Sequence, residues 1–115
     1  MFRTEAIINE ITQWIDSNID KPLRIVDVAA RVGYSRWHLQ RLFVQVKQTN
    51  LAKYIRDKKL SLAANDLIET NESIIDIAAR YGFESQQTFT RTFTNNYGLP
   101  PLRYRIAMKA KTPAN

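Results

Sequence analysis

Residues 25–34 read IVDVAARVGY, and residues 74–83 read IIDIAARYGF. Six of the ten positions are identical, and three of the other four exchange similar residues. Each copy is followed by a serine and a second helical stretch, SRWHLQRLF (35–43) and SQQTFTRTF (85–93). The register slips by one residue between the copies, with Glu84 as the insertion. Glycine takes the left-handed conformation that ends a helix. Serine offers an oxygen to the free amides that begin one. A helix, a glycine turn and a capped second helix make a helix-turn-helix, whose second helix enters a DNA major groove. Two copies are too few for a solenoid, which needs three or more repeats to bury a core.

Apolar residues recur at helical spacing almost throughout, and no stretch alternates with period two. The pattern predicts an all-α fold of seven helices. Ile7, Ile8, Ile11, Trp14, Ile15 and Ile19 mark the apolar face of the first, with Thr4 as its N-cap and Asp20 to Pro22 as its break. Ile25, Val28, Ala29 and Val32 make the second, which stops at Gly33. The third spans 36–47 behind Ser35. The fourth spans 50–69, with Leu51, Tyr54, Ile55, Leu62, Ala63 and Leu67 inward. Ser73 or Asn71 starts a fifth over Ile74 to Tyr81, Ser85 caps a sixth over 86–97, and Pro100 or Pro101 opens a seventh. The implied organisation is a first helix-turn-helix subdomain (1–49), a long linker helix (50–69), a second helix-turn-helix subdomain (70–108) and a flexible tail (109–115). At 115 residues the chain is one domain, or two very small units.

Stepping 100° per residue along the third helix puts Leu39, Leu42, Phe43 and Val46 inward. Trp37, Gln40, Arg41 and Val44 fall outward, with Trp37 almost opposite the apolar centre. A tryptophan commonly belongs to a core, but here the core side is already filled. Its outward face can meet thymine methyls, and arginine pairs bidentately with guanine. The sixth helix turns Phe89 and Phe93 inward and Gln87, Arg91 and Thr94 outward, with Gln86, Thr88 and Thr90 beside them. Glutamine pairs bidentately with adenine, and threonine offers a hydroxyl and a methyl. The two reading faces differ, so the DNA site is expected to be asymmetric. A linker helix of about 20 residues is roughly 30 Å long, close to the roughly 34 Å between successive major grooves on one side of B-DNA.

Charge supports a polyanion partner: 17 Lys and Arg against 11 Asp and Glu give +6. Arg24, Lys47, Lys53, Arg56, Lys58, Lys59, Arg103 and Arg105 are candidate phosphate contacts, with Arg36 and Arg56 the favoured pair. Asp27 with Arg31, and Asp76 with Arg80, are spaced as bracing i,i+4 pairs. There is no cysteine and one histidine, His38, so neither a thiolate metal site nor a hydrolytic triad is supported, and no cofactor is expected. No apolar run suits a signal peptide or membrane span. A non-specific basic nucleic-acid-coating or architectural protein is the alternative, but it has no use for two different reading faces on matched scaffolds.

GYSRWHLQRLF, YIRDKKL, YGFESQQTFTRTF and PPLRYR, in that order and spacing, resemble the single-domain branch of the AraC/XylS family of bacterial transcription activators. The likeness runs from about residue 6 to 106. It implies two helix-turn-helix units joined by a long helix, and monomeric binding to a degenerate asymmetric site on double-stranded DNA. It implies activation at stress and multidrug-resistance promoters through contact with RNA polymerase, in the bacterial cytoplasm at the nucleoid. Family base contacts carry over to Trp37, Gln40 and Arg41, and to Gln86, Gln87, Thr90 and Arg91.

Three departures stand out. KQTNLAKY lacks the glycine usual after the third helix, so Thr49 or Asn50 must shape that turn. Arg24 replaces a frequent N-cap serine, and TNNYG lacks the basic residues common after the sixth helix. Many relatives carry an effector-binding domain. A chain this short leaves no room for one, so control by protein amount, without a small-molecule effector, is expected.

Overall fold

The computed structural model describes residues 2–111, in which seven helices and no strand are found. The chain forms two compact units, residues 1–58 and 59–115. The boundary falls inside the long helix, which therefore gives side chains to both interiors.

The first unit contains α1 (Phe2–Ser17), α2 (Ile25–Arg31), α3 (Arg36–Lys47) and the start of α4 (Leu51–Glu69). Helix α3 packs on α1 and α2. Ile8, Ile11, Ile15, Ile19, Val28, Ala29, Leu39, Phe43, Leu51 and Ile55 are buried, as their helical spacing requires. Thr4 is not a cap, because α1 starts at Phe2 and Thr4 lies in its first turn. Trp14 is half-buried, with the Arg31 guanidinium 4.8 Å from the centre of its ring. Arg31 thus stacks on tryptophan instead of pairing with Asp27, which lies 3.9 Å from Arg24. The Tyr54 hydroxyl donates to Asp16 over 2.9 Å, and Lys58 pairs with the same carboxylate.

The turn chemistry follows the sequence with one exception. Gly33 has φ 75°, and the amides of Gly33 and Tyr34 close α2 by donating to Ala30 and Ala29. Ser35 Oγ accepts from the His38 amide at 3.1 Å to open α3. After α3, neither Thr49 nor Asn50 makes the left-handed turn. Gln48 does, at φ 61°, with its amide donating to the Val44 carbonyl. The left-handed residue must directly follow the last helical one to reach that carbonyl. Asn50 has a different task, its side-chain oxygen accepting from the Lys53 amide at 2.8 Å to start α4.

The second unit contains the rest of α4, α5 (Ile74–Arg80), α6 (Gln86–Tyr97) and α7 (Pro101–Lys111). Its core joins Leu60, Ala63, Ala64, Leu67, Ile77, Ala78, Tyr81, Phe89 and Phe93, with Leu62 and Tyr104 packed alongside. Leu60 and Ala64 escaped the sequence reading because they lie on a different stripe of α4 from Leu51 and Ile55, so no single apolar face runs its length. Ser73 and Ser85 cap α5 and α6 by accepting from the amides of Asp76 and Thr88.

A polar network ties this unit together. Arg80 does not pair with Asp76. It reaches Asp66 on α4, at 2.8 Å, and Glu72 in the α4–α5 turn. Its pKa is raised, first by the hydrogen bond to Glu72 and then by that to Asp66. From α7, Arg105 donates to the carbonyls of Leu67 and Glu72 at 2.9 and 2.7 Å, and Lys109 donates to the Thr70 carbonyl. These cations occupy one carbonyl that the end of α4 leaves unpaired, that of Leu67, and two in the turn that follows it. Lys109 therefore belongs to an ordered helix that continues to Lys111, and the rest of the expected tail, 112–115, lies outside the described residues.

The Tyr81 hydroxyl donates to Asp66 over 2.6 Å, and its pKa is pushed up from 10.0 to about 12, chiefly by burial and then by this bond. Below the unfolded value the phenol keeps its proton in both states, and the interaction is fully present. As pH rises through the folded value the unfolded chain gives up the proton first, so stability falls. A spectrophotometric titration at 295 nm is expected to lose one high-pH phenol in Tyr81→Phe. Its thermal stability should also depend less on pH between 10 and 12. An unchanged titration curve contradicts the assignment.

Candidate nucleic-acid interface

In both units the second helix of the motif is held by one face. Leu39 and Phe43 on α3, and Phe89 and Phe93 on α6, have no exposed surface. One turn apart, each pair fixes the rotation of its helix, so the opposite side chains must face solvent. Leu42 and Val46, expected inward, are half-buried at the edge of the α3 contact.

Trp37 is 77% exposed, an extreme for the largest apolar side chain. With Gln40, Arg41 and Val44 it lines an open hollow of about 470 Å³ along α3. Arg41 and Arg36 are exposed, and neither has an ion pair with a described residue. His38 is exposed at the flank of the helix, its ring 4.4 Å from that of Tyr34. Among the described residues no group of three potential metal ligands occurs, and no helix is long and apolar enough to cross a membrane.

On α6, Gln86, Gln87 and Arg91 are exposed, and Thr90 and Thr94 are half-buried. Thr94 Oγ1 donates to the Thr90 carbonyl at 2.6 Å, so its hydroxyl is left mainly as an acceptor. Thr88 is engaged in the opposite sense, accepting a hydrogen bond from Ser85 Oγ and keeping its own hydroxyl proton. Gln86, Gln87 and Arg91 are the exposed nitrogen donors of this face. Glu84 is exposed just before the Ser85 cap.

Several candidate phosphate ligands are already engaged. Lys53 pairs with Asp57 at 2.6 Å, Lys58 with Asp16 at 3.8 Å, and Lys47 donates to Asn9. Arg105 is committed to backbone carbonyls. Arg56 is half-exposed and its Nε lies 3.9 Å from Asp57 Oδ1. Lys59 is partly buried, which lowers its pKa. Among the exposed aliphatic side chains that went unnoticed in the sequence are Val26 on α2 and Ile75 on α5. They occupy equivalent repeat positions just off the apolar face, and that shared register was the available clue.

Two helix-turn-helix units in one chain, each with its second helix bare on the side away from the core, define a tandem DNA-binding domain. A family profile described as a helix-turn-helix domain matches residues 28–107. Over 104 residues the chain is 50% identical to the multiple antibiotic resistance protein MarA of Salmonella typhimurium, covering 90% of this chain and 82% of that protein. It is 44% identical over 100 residues to the right origin-binding protein of Escherichia coli, covering 87% of this chain and 35% of that protein. A crystal structure of an AraC-type transcriptional regulator from Chromobacterium violaceum matches with a TM-score of 0.85 at 32% identity, over 98% of this chain and 100% of that one. The chain belongs to the AraC/XylS family of DNA-binding transcriptional activators and is not an enzyme.

Trp37, Gln40 and Arg41, with Gln86, Gln87, Thr90 and Arg91, are proposed as base contacts, and Arg36 and Arg56 as phosphate contacts. Trp37→Ala and Arg41→Ala are expected to relax base preference at one end of the site, and Gln87→Ala and Arg91→Ala at the other. Each lost contact should cost about 1–3 kcal/mol. Binding measured on duplexes with single base-pair changes checks this. Losses that map to the same base pairs for both sets contradict it.

Proposed function

We propose that the chain binds an asymmetric DNA site as a monomer, with α3 and α6 in successive major grooves, and activates stress and multidrug-resistance promoters by touching RNA polymerase. The carrying observation is the contrast between the outward faces: exposed Trp37 and Arg41 with half-buried Gln40 on α3, against exposed Gln87 and Arg91 with half-buried Thr90 on α6. A symmetric dimer presents the same face twice and reads a palindrome. Two unlike faces in one chain read two unlike half-sites. The promoter class is supported by the likeness to a multiple antibiotic resistance protein, and the polymerase contact by family membership. The reading places the protein in the bacterial cytoplasm at the nucleoid, controlled by its amount and without a small-molecule effector.

Sequences selected from random DNA define the minimal site, and sedimentation of the complex on that duplex gives its stoichiometry. One chain per site is the expected result, and two chains per minimal site overturn the monomer reading. A coating protein, the second reading, binds selected and random duplexes with equal affinity and equal salt dependence.

A further inference from the structure

The internal repeat provides a comparison within one chain. The residue just before the first helix of the motif is Arg24 in one unit and Ser73 in the other. Ser73 caps its helix, its hydroxyl accepting from the Asp76 amide at 3.1 Å. Arg24 has the same extended backbone, φ −102° and ψ 136°, but makes no side-chain hydrogen bond to the helix. A position that favours a small acceptor therefore holds a long donor, and the helix start loses stability.

What Arg24 gains is a place on a surface. Its side chain is 78% exposed, and its ion pair with Asp27, at 3.9 Å and 65% exposed, holds it only weakly in water. With Ile25, Val26, Arg36, Trp37 and Gln40 it lines an open hollow of about 500 Å³. Val26, 51% exposed, and Trp37 give that hollow apolar lining, and two arginines, Arg24 and Arg36, share it. Trp37 and Gln40 also line the hollow along α3, so the surface is continuous with the reading face. The second unit keeps the aliphatic residue, Ile75, but neither arginine nor the tryptophan. Ser73, Gln86 and Gln87 stand where Arg24, Arg36 and Trp37 stand in the first.

A hollow lined by two arginines and by apolar side chains, beside the outward face of α3, has the chemistry that suits a sugar-phosphate backbone. The first helix of this motif crosses the backbone, and guanidinium is the side chain suited to phosphate oxygens. We propose that Arg24 and Arg36 clamp the backbone phosphates flanking the α3 groove, with Val26 and Trp37 against the adjoining deoxyribose. The first unit is then the electrostatic anchor of the complex, and α2 gives up a helix cap to provide it. The clamp rests on α3 being a reading helix, the function proposed above. Among the described residues Asp27 is the acidic group paired with Arg24, and bound phosphate takes its place.

Arg24→Ser tests this because a cap and a clamp move in opposite directions. The variant should melt about 3–6 °C higher, since serine restores the cap. Its plot of log affinity against log salt on the selected duplex should be shallower by about 0.9, the loss of one phosphate contact. Its deficit relative to wild type then shrinks about threefold to fourfold between 0.05 and 0.2 M salt. Base preferences should not change. Uncharged methylphosphonates scanned along both strands should find a position in the α3 half-site that weakens wild type but not Arg24→Ser. A more stable variant with the wild-type salt slope overturns the clamp, as does a sensitive position in the α6 half-site. A wild type without preference for any selected sequence overturns the function reading instead, so the two failures are distinguishable.

Discussion

Each reading helix is fastened by two fully buried side chains one turn apart, Leu39 and Phe43 on α3 and Phe89 and Phe93 on α6. The site depends on that constraint. Burying two large apolar groups on one stripe of a 12-residue helix stabilises a single rotation about its axis, by about 1.5–3 kcal/mol per side chain. Once the rotation is set, Trp37 and Arg41, or Gln87 and Arg91, can only point outward. Serine caps and glycine turns then fix where each helix begins relative to its partner. The same scaffold occurs twice, and only the outward letters change.

The positive charge is divided between holding the fold and meeting a ligand. Arg80, Arg105 and Lys109 secure the α4–α5 turn through carboxylates and backbone carbonyls. Lys53 and Lys58 are engaged by Asp57 and Asp16. What remains exposed without an ion pair to a described residue includes Arg36, Arg41 and Arg91, all on the second helices of the motif. A net charge of +6 thus overstates what is free to bind.

The bounds of α3 and α6 were legible because serine opens both and the turn chemistry punctuates both, and their outward residues followed from the 100° step. Helix α4 was legible in extent and in four of its inward residues, Leu51, Ile55, Ala63 and Leu67, whereas Leu60 and Ala64 were missed because the helix serves two interiors and has no single apolar face. The partners of Arg80 were not legible at all. The local i,i+4 candidate, Asp76, lost to Asp66 and Glu72, which folding brings close from 14 and 8 residues away. Gln48 also escaped, since a non-glycine residue in a left-handed turn leaves no mark in composition. Val26 escaped because it lies just off the apolar face of α2, where only the register it shares with Ile75 in the second copy marks it.

The central claim is that one chain reads two half-sites with two different helices. The chain has no cysteine, so a single one can carry a tethered iron chelate that cuts nearby deoxyribose. Val44→Cys and Thr94→Cys, at equivalent repeat positions on α3 and α6, place the cutter in turn at each reading face. On one minimal site, the account predicts two separate cleavage clusters about ten base pairs apart, in the same order on every molecule. Cleavage by both variants at the same base pairs, or by Thr94→Cys nowhere within the site, contradicts it.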